Sequence, residues 1–261
     1  MKFDLHCHTK EGSPDAKIPV KDYIMYLIDM GYDGMLITDH NSYKGYDYYK
    51  KHVQSWKLKR PFVVLCGIEY DTLDGGHMLV IMPDHVKSRV LENRGMTTED
   101  LVTYVHALGG IVGPAHPYGN GFFAYMNTKA AKKAYRIGKP FDEFDFIETF
   151  NSCTHPACNA KAALLAKRYH KPMFAGTDAH RKGVLGTAFT IFPYHIASND
   201  ELILAIKNHV RTSVTTEPLP GAFVKQPWPV RDMLIWAYFF YNKLGALFHI
   251  RARRKHLKSS K

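Results

Sequence analysis

Short apolar runs in this chain end, one after another, on a histidine or a carboxylate, and this repetition constrains the fold more than any other feature. The runs close on Asp4-Leu5-His6-Cys7-His8, Ile37-Thr38-Asp39-His40, Gly67-Ile68-Glu69, Gly76-His77, Pro114-Ala115-His116-Pro117 and Gly176-Thr177-Asp178-Ala179-His180. Runs this short, rich in β-branched and aromatic residues, read as strands. Strands are predicted at 2–5, 34–38, 62–66, 78–82, 111–114, 144–149 and 173–175, and helices at 20–30, 98–108, 128–136 and 159–169. The second helix-like stretch opens on Thr97-Thr98-Glu99-Asp100, which supplies a cap and early negative charge. Gly109-Gly110 ends that second helix and leads into the next strand. Alternation of strand and helix predicts an α/β fold with a mostly parallel sheet, and this many units favours closure into a barrel.

A barrel gathers the residues at the carboxyl ends of different strands on one face. The His6-x-His8 spacing puts both imidazoles on one side of a strand, and Asp178 and His180 share a side in the same way. Neutral imidazole with carboxylate is a donor set for divalent metals, so the series points to a multi-metal hydrolytic centre. Asp39 reads as a cap or orienting group beside His40, and Glu148 and Asn151 as support near the site. Cys7 lies on the opposite strand face from its neighbours and reads as packing. The stretch Cys153-Thr154-His155-Pro156-Ala157-Cys158 lacks a fourth ligand at zinc-finger spacing and falls at a helix start, so a separate structural zinc is not expected. Arg181-Lys182 follow the last motif and are candidates to grip a phosphate.

Bulk properties fit this reading. With 261 residues, 46% hydrophobic and 23% charged, the composition is that of a globular protein, without low-complexity tract or repeat. Neither a secretory signal nor a disulfide-rich pattern is evident in the first residues or in Cys7, Cys66, Cys153 and Cys158, so a reduced cytoplasmic setting is expected. The net charge of +11 is uneven: from Thr215 to Lys261, nine Lys/Arg face two acids. The part before it carries only a mild positive field, which suits an anionic substrate such as a phosphate ester.

The chain is therefore divided into 1–214, holding the motifs, and 215–261, a basic aromatic-rich extension. Pro218, Pro220, Pro227 and Pro229 break up the connector, and the run from Met233 to Tyr241 is apolar on every side. It is shorter than the ~20 residues of a spanning helix, and Lys243 interrupts it. Three readings compete: a closing helix packed on the barrel, which is the default; a helix at a membrane surface, peripheral, with Arg251–Lys261 meeting anionic lipid; or pairing with another subunit. The basic block would also bind RNA or DNA non-specifically. The oligomeric state is left open.

His-x-His, Thr-Asp-His, Gly-Ile-Glu, Gly-His, Ala-His-Pro and Thr-Asp-Ala-His, in that order from His6 to His180, resemble the polymerase and histidinol phosphatase (PHP) superfamily of metal-dependent phosphoesterases. Gly186-Thr187-Ala188-Phe189-Thr190 and the 201–210 stretch share the likeness, which covers about the first four-fifths of the chain. The resemblance implies a distorted (β/α)7 TIM-like barrel with two or three divalent metal ions, Mn, Fe or Zn. Carried over, it gives one metal to His6, His8, Glu69 and Asp178, and a second to Glu69, His77 and His116. A third would take Asp15, His40 and His180, with Glu11 the alternative to Asp15. It implies hydrolysis of a small phosphorylated substrate by metal-activated hydroxide, with His40, Asp178 and His180 in catalytic roles. The first expectation is a phosphomonoesterase, acting on a nucleotide or histidinol phosphate. The alternatives are a phosphodiesterase or exonuclease on short nucleic acids, or a non-catalytic metal-binding module at a membrane.

Overall fold

The apolar runs become strands whose ends meet on one side of the molecule. The computed structural model describes residues 1–119, 121–139, 141–216 and 228–248. Its strands are β1 (Lys2–Cys7), β2 (Gly34–Ile37), β3 (Val63–Asp71), β4 (His77–Ile81), β5 (Ile111–Pro114), β6 (Ile147–Asn151), β7 (Met173–Gly176), β8 (Thr190–Ile191) and β9 (Ser213–Val214). The helices are α1 (Val20–Asp29), α2 (Lys44–His52), α3 (Thr98–Ala107), α4 (Lys129–Arg136), α5 (Pro156–Arg168), α6 (Asn199–Lys207) and α7 (Trp228–Phe248). In α1, Val20, Tyr23, Ile24, Leu27 and Ile28 are buried, the i, i+3, i+4, i+7 stripe of a helix lying on a sheet. Thr97 caps α3 by accepting a hydrogen bond from the Asp100 amide, and Thr128 caps α4 through the Ala131 amide. At α5, Pro156 occupies the first turn and the His155 ring accepts from the Ala157 amide, so this histidine serves as a helix cap.

Seven strands pair in the order β5-β4-β3-β2-β1-β8-β9, and β6 pairs with β7. The pairs β1–β2, β2–β3 and β6–β7 are parallel, whereas β3–β4, β4–β5, β1–β8 and β8–β9 are antiparallel. The expectation of a mostly parallel sheet therefore needs correction. Only residues 72–76 separate β3 from β4, far too few for the crossover that a parallel neighbour requires. The chain turns there on Gly76, whose φ of +90° suits glycine.

The β6–β7 pair fills the curl of the larger sheet. On one side the Asp178 amide donates to the His6 carbonyl (2.8 Å) and Cys7 bridges to Ala179. On the other, the Asp145 amide donates to the Val112 carbonyl (2.9 Å). The result is a mixed α/β fold with a curled half-barrel sheet, in which hairpins stand where some βα units of a (β/α)7 ring were expected. Inside the curl, Phe3, Leu5, Leu36, Leu65, Leu79, Ile81, Phe146 and Phe174 pack together, with the Phe146 and Phe174 rings stacked at 3.9 Å.

The apolar run of the extension is helical, within α7. This helix is tied to the turn after β3 by Asn242, whose Nδ2 donates to the Thr72 carbonyl (3.0 Å), and by Lys243 on the Leu73 carbonyl. Among the described residues no helix is long and apolar enough to cross a membrane. Pro218, Pro220, Pro227 and the basic block from Arg251 to Lys261 lie outside the described residues.

Candidate metal centre

Six of the strands bring residues to one buried cluster. His6 and His8 come from the end of β1, His40 from beyond β2, and Glu69 from within β3. His77 opens β4, His116 follows β5, and Asp178 and His180 follow β7. His6 Nε2, His8 Nε2, Glu69 Oε2 and Asp178 Oδ1 form one group. His6 Nε2 lies 3.1 Å from His8 Nε2, 3.2 Å from Glu69 Oε2 and 3.5 Å from Asp178 Oδ1. His8 Nε2 lies 3.0 Å from Glu69 Oε2 and 3.1 Å from Asp178 Oδ1. Ligands about 2.0 Å from a tetrahedral cation stand about 3.3 Å apart, so these spacings are those of a coordination shell.

The second group uses the other oxygen of the same carboxylate. Glu69 Oε1 is 2.9 Å from His77 Nδ1 and 3.0 Å from His116 Nε2. Glu69 thus presents one oxygen to each group, the arrangement of a bridging ligand. A third group lies toward the opening: the His8 ring stacks on His180 (4.2 Å) and on His40 (4.6 Å). Asp15 Oδ2 reaches His180 Nε2 at 3.3 Å and His40 Nε2 at 3.7 Å. Asp15 is about half exposed, while His6, His8 and Glu69 are fully buried. Glu11, the alternative, instead accepts from the Val20 amide (3.0 Å) at the start of α1.

Asp71 was not singled out from the sequence, and it belongs here. It lies two residues after Glu69 on β3, hence on the same face. Its Oδ1 is 3.1 Å from His40 Nδ1 and 3.5 Å from His77 Nε2, and Arg94 Nε donates to its Oδ2 (2.9 Å). His40, Asp71 and His77 form a further group with metal-ligand spacing. The Glu69-x-Asp71 alternation was the available signal.

The imidazoles are held from behind. Glu148 Oε1 pairs with His6 Nδ1 (2.8 Å), and its Oε2 accepts from the His116 amide (2.5 Å) and from Asn151 Nδ2 (3.1 Å). Asn151 Nδ2 also reaches Asp178 Oδ2 (3.2 Å). Asp39 faces away, accepting from the Thr9 amide and hydroxyl and from Ser13 Oγ, while Ser13 Oγ also meets His8 Nδ1 (3.1 Å). It fixes the loop after β1 instead of touching His40. The backbone is strained at Asn41, His116 and Asp178, with φ of +46°, +29° and +54°. Replacing Glu148 with Gln should weaken metal uptake by roughly 10–100-fold, because the carboxylate that orients His6 is lost. Equilibrium dialysis checks this; unchanged affinity would mean that Glu148 does not position the ring.

Burial alone would push the Glu69 carboxyl up, yet the imidazoles of His6, His77 and His40 hold it well below its usual range. Asp178 is likewise burdened by burial and drawn down by His6, His8 and His180. Burial lowers His77 despite Glu69, which favours the neutral, ligand form of that ring. Glu69 Oε2, Asp178 Oδ1 and His77 Nε2 are buried side-chain atoms without a hydrogen-bond partner. Leaving such groups unmatched costs about 1–3 kcal/mol each, more where they are charged; a divalent cation in the first group would match both carboxylate oxygens, and one held with His40 and Asp71 would match the His77 nitrogen. The donor set, its spacing and its orphaned atoms all fit metal.

The opening is a cleft of about 230 Å³ lined by Asp15, His40, Cys153, Thr154, His180 and Tyr238, among others. Arg181 and Lys182 are exposed and do not line it; Lys182 Nζ faces Asp22 at 3.5 Å. Tyr238, from α7, was not expected here. Its ring lies 5.5 Å from His77 and 4.8 Å from Phe123, so the extension roofs the cleft. Nothing local marks Tyr238, since the signal is purely tertiary.

Residues 156–210 match the family model PHP_C, described as PHP-associated. No curated protein matches the chain. Among solved structures, a candidate metal-dependent phosphoesterase from Bifidobacterium adolescentis superposes with a TM-score of 0.53 at 16% identity, covering 80% of this chain and 96% of that one. PsfC from Pseudomonas syringae gives 0.57 at 14%, covering 92% and 98%. An amidohydrolase from Chromobacterium violaceum, with bound sulfate and no metal, gives 0.53 at 14%, covering 92% and 96%. At these identities the likeness is one of fold.

Proposed function

We propose that this PHP-type hydrolase cleaves a phosphate monoester at a multinuclear centre built on Glu69. The observation that carries the reading is the split of that carboxylate, with Oε2 in one ligand group and Oε1 in the next. His6, His8, Glu69 and Asp178 would hold one divalent cation, Glu69, His77 and His116 a second, and Asp15, His40 and His180 a third. Mn, Fe and Zn all accept such donors. Bound there, the cations supply charge for the phosphate oxygens and lower the pKa of a water.

The chain's own residues do the rest. Glu148 and Asn151 orient the imidazoles and Asp178, and Asp71 with Arg94 fixes His40 and His77. Tyr238 and Phe123 cover the cleft and limit water. With the third position empty, His40 Nε2 and His180 Nε2, both facing Asp15, would be the atoms placed to pass a proton to the leaving oxygen. A cleft of about 230 Å³ under an aromatic roof favours a small monoester over a nucleic-acid strand. We read residues 1–214 as the catalytic domain, a distorted relative of the (β/α)7 barrel, with 215–261 as an extension that reaches back over it. The free thiols Cys7, Cys66, Cys153 and Cys158 suit a cytoplasmic setting.

The test is phosphate release from a panel of mono- and diesters with Mn²⁺, wild type beside Asp178→Asn. Monoester turnover that the substitution abolishes is expected. A preference for diesters would shift the assignment to the phosphodiesterase, and silence from folded, metal-loaded protein would leave a binding module. Turnover indifferent to Asp178→Asn would misplace the site.

A further inference from the structure

The helix that roofs the cleft has a second, largely exposed face. Tyr238, Asn242 and Ala246 turn toward the barrel. Met233, Trp236, Phe240, Leu244 and Leu247 recur at three- and four-residue spacing on the other side, each more than half exposed, and Phe248 is 81% exposed. A row of large apolar side chains this long is out of place in water, since contiguous exposed patches mark contact surfaces. Among the described residues Phe122 meets the Trp236 ring (5.6 Å), and the row is otherwise open to solvent by more than half at each side chain.

Charge decides what fits it. From Met233 to Lys261 the sequence has no acid, and Lys243, Arg251, Arg253, Arg254, Lys255, Lys258 and Lys261 are cations. A second copy would carry the same positive charge and offer this cationic sequence no counter-charge. An anionic lipid surface does the reverse, since it neutralises the tail while its interfacial region takes up the aromatic and aliphatic row. Trp, Phe and Tyr are the side chains that settle at that boundary. Among the described residues no helix is long and apolar enough to cross a bilayer, so this face would rest on the surface.

We propose that the outer face of α7 is a docking surface for an anionic lipid bilayer. It leaves the inner face, and with it Tyr238, on the metal cleft, so the chain would be held at the membrane with its cleft roofed. The inference does not depend on the phosphoesterase reading.

The experiment is co-sedimentation of the full chain with phosphatidylcholine vesicles, with and without about one-third phosphatidylserine, alongside the double variant Phe240→Glu, Leu247→Glu. Both side chains are more than half exposed, so the variant should fold, and a wild-type circular dichroism spectrum and melting temperature serve as its folding control. Wild type should bind the anionic vesicles at least about tenfold more than the neutral ones, weaken as salt rises, and lose binding in the variant. Protein left in the supernatant with anionic vesicles would overturn the proposal. So would equal sedimentation of wild type and variant, displaced by homopolymer RNA, which would make the tail a general polyanion binder. A dimer in solution that the variant dissolves, without vesicle binding, would give the face to a second copy.

Discussion

Glu69→Gln should lower phosphate release by about 10³-fold or more, equivalent to about 4 kcal/mol of lost transition-state stabilisation. The substitution keeps the shape of the side chain, so the fold has little reason to change. It removes one of the two oxygens that Glu69 offers to neighbouring ligand groups and puts an amide N–H against imidazole nitrogens about 3 Å away. It also deletes the charge that the imidazoles hold ionised against burial. Metal content measured on the purified variant should fall by at least one equivalent per chain, in step with the loss of turnover. Activity within tenfold of wild type would show that Glu69 does not bridge.

Gly176→Ala should destabilise the fold by about 3 kcal/mol, at the upper end of what overpacking a tight core usually costs. A Cβ at this position would stand 2.3 Å from His6 Cβ and 2.5 Å from the His6 backbone nitrogen. Neither atom belongs to a flexible side-chain end, so β7 must move away from β1. That joint carries the Asp178 amide to His6 carbonyl bond, and beside it buried Asp4 accepts from the Thr177 amide (2.9 Å) and hydroxyl (2.6 Å). For a chain of this size the loss amounts to a melting temperature lower by roughly 6–12 °C. Metal uptake should fall as well, because His6 and Asp178 part company. Denaturant unfolding checks the first effect and dialysis the second; wild-type values in both would mean that the strands close less tightly here.

The strand positions were legible because each is a short apolar run with a sharp end, and β5 spans the residues expected of it. The direction of β4 is legible in the five residues before it, too few for the crossover of a parallel neighbour. β3 runs on to Asp71, past the expected end at 66, since its last residues pair with β4 instead of ending at the barrel rim. α2 escaped notice because its only buried residue is Gly45, so it lacks an apolar stripe. β8 and β9 are two-residue strands held by tertiary pairing. At the site, histidines in short, distinctive motifs stood out, whereas Asp71, an ordinary strand carboxylate, did not. Tyr238 lies among equally apolar neighbours on α7, and only the path of the chain over the cleft sets it apart.

The most direct test of a multinuclear phosphoesterase is to titrate chelator-stripped, folded protein with Mn²⁺ while recording phosphate release from a monoester. The stripped protein should be silent, with turnover rising until at least the second equivalent is bound. Full turnover in the stripped protein, or uptake of metal with no phosphate released from any ester, would contradict the account.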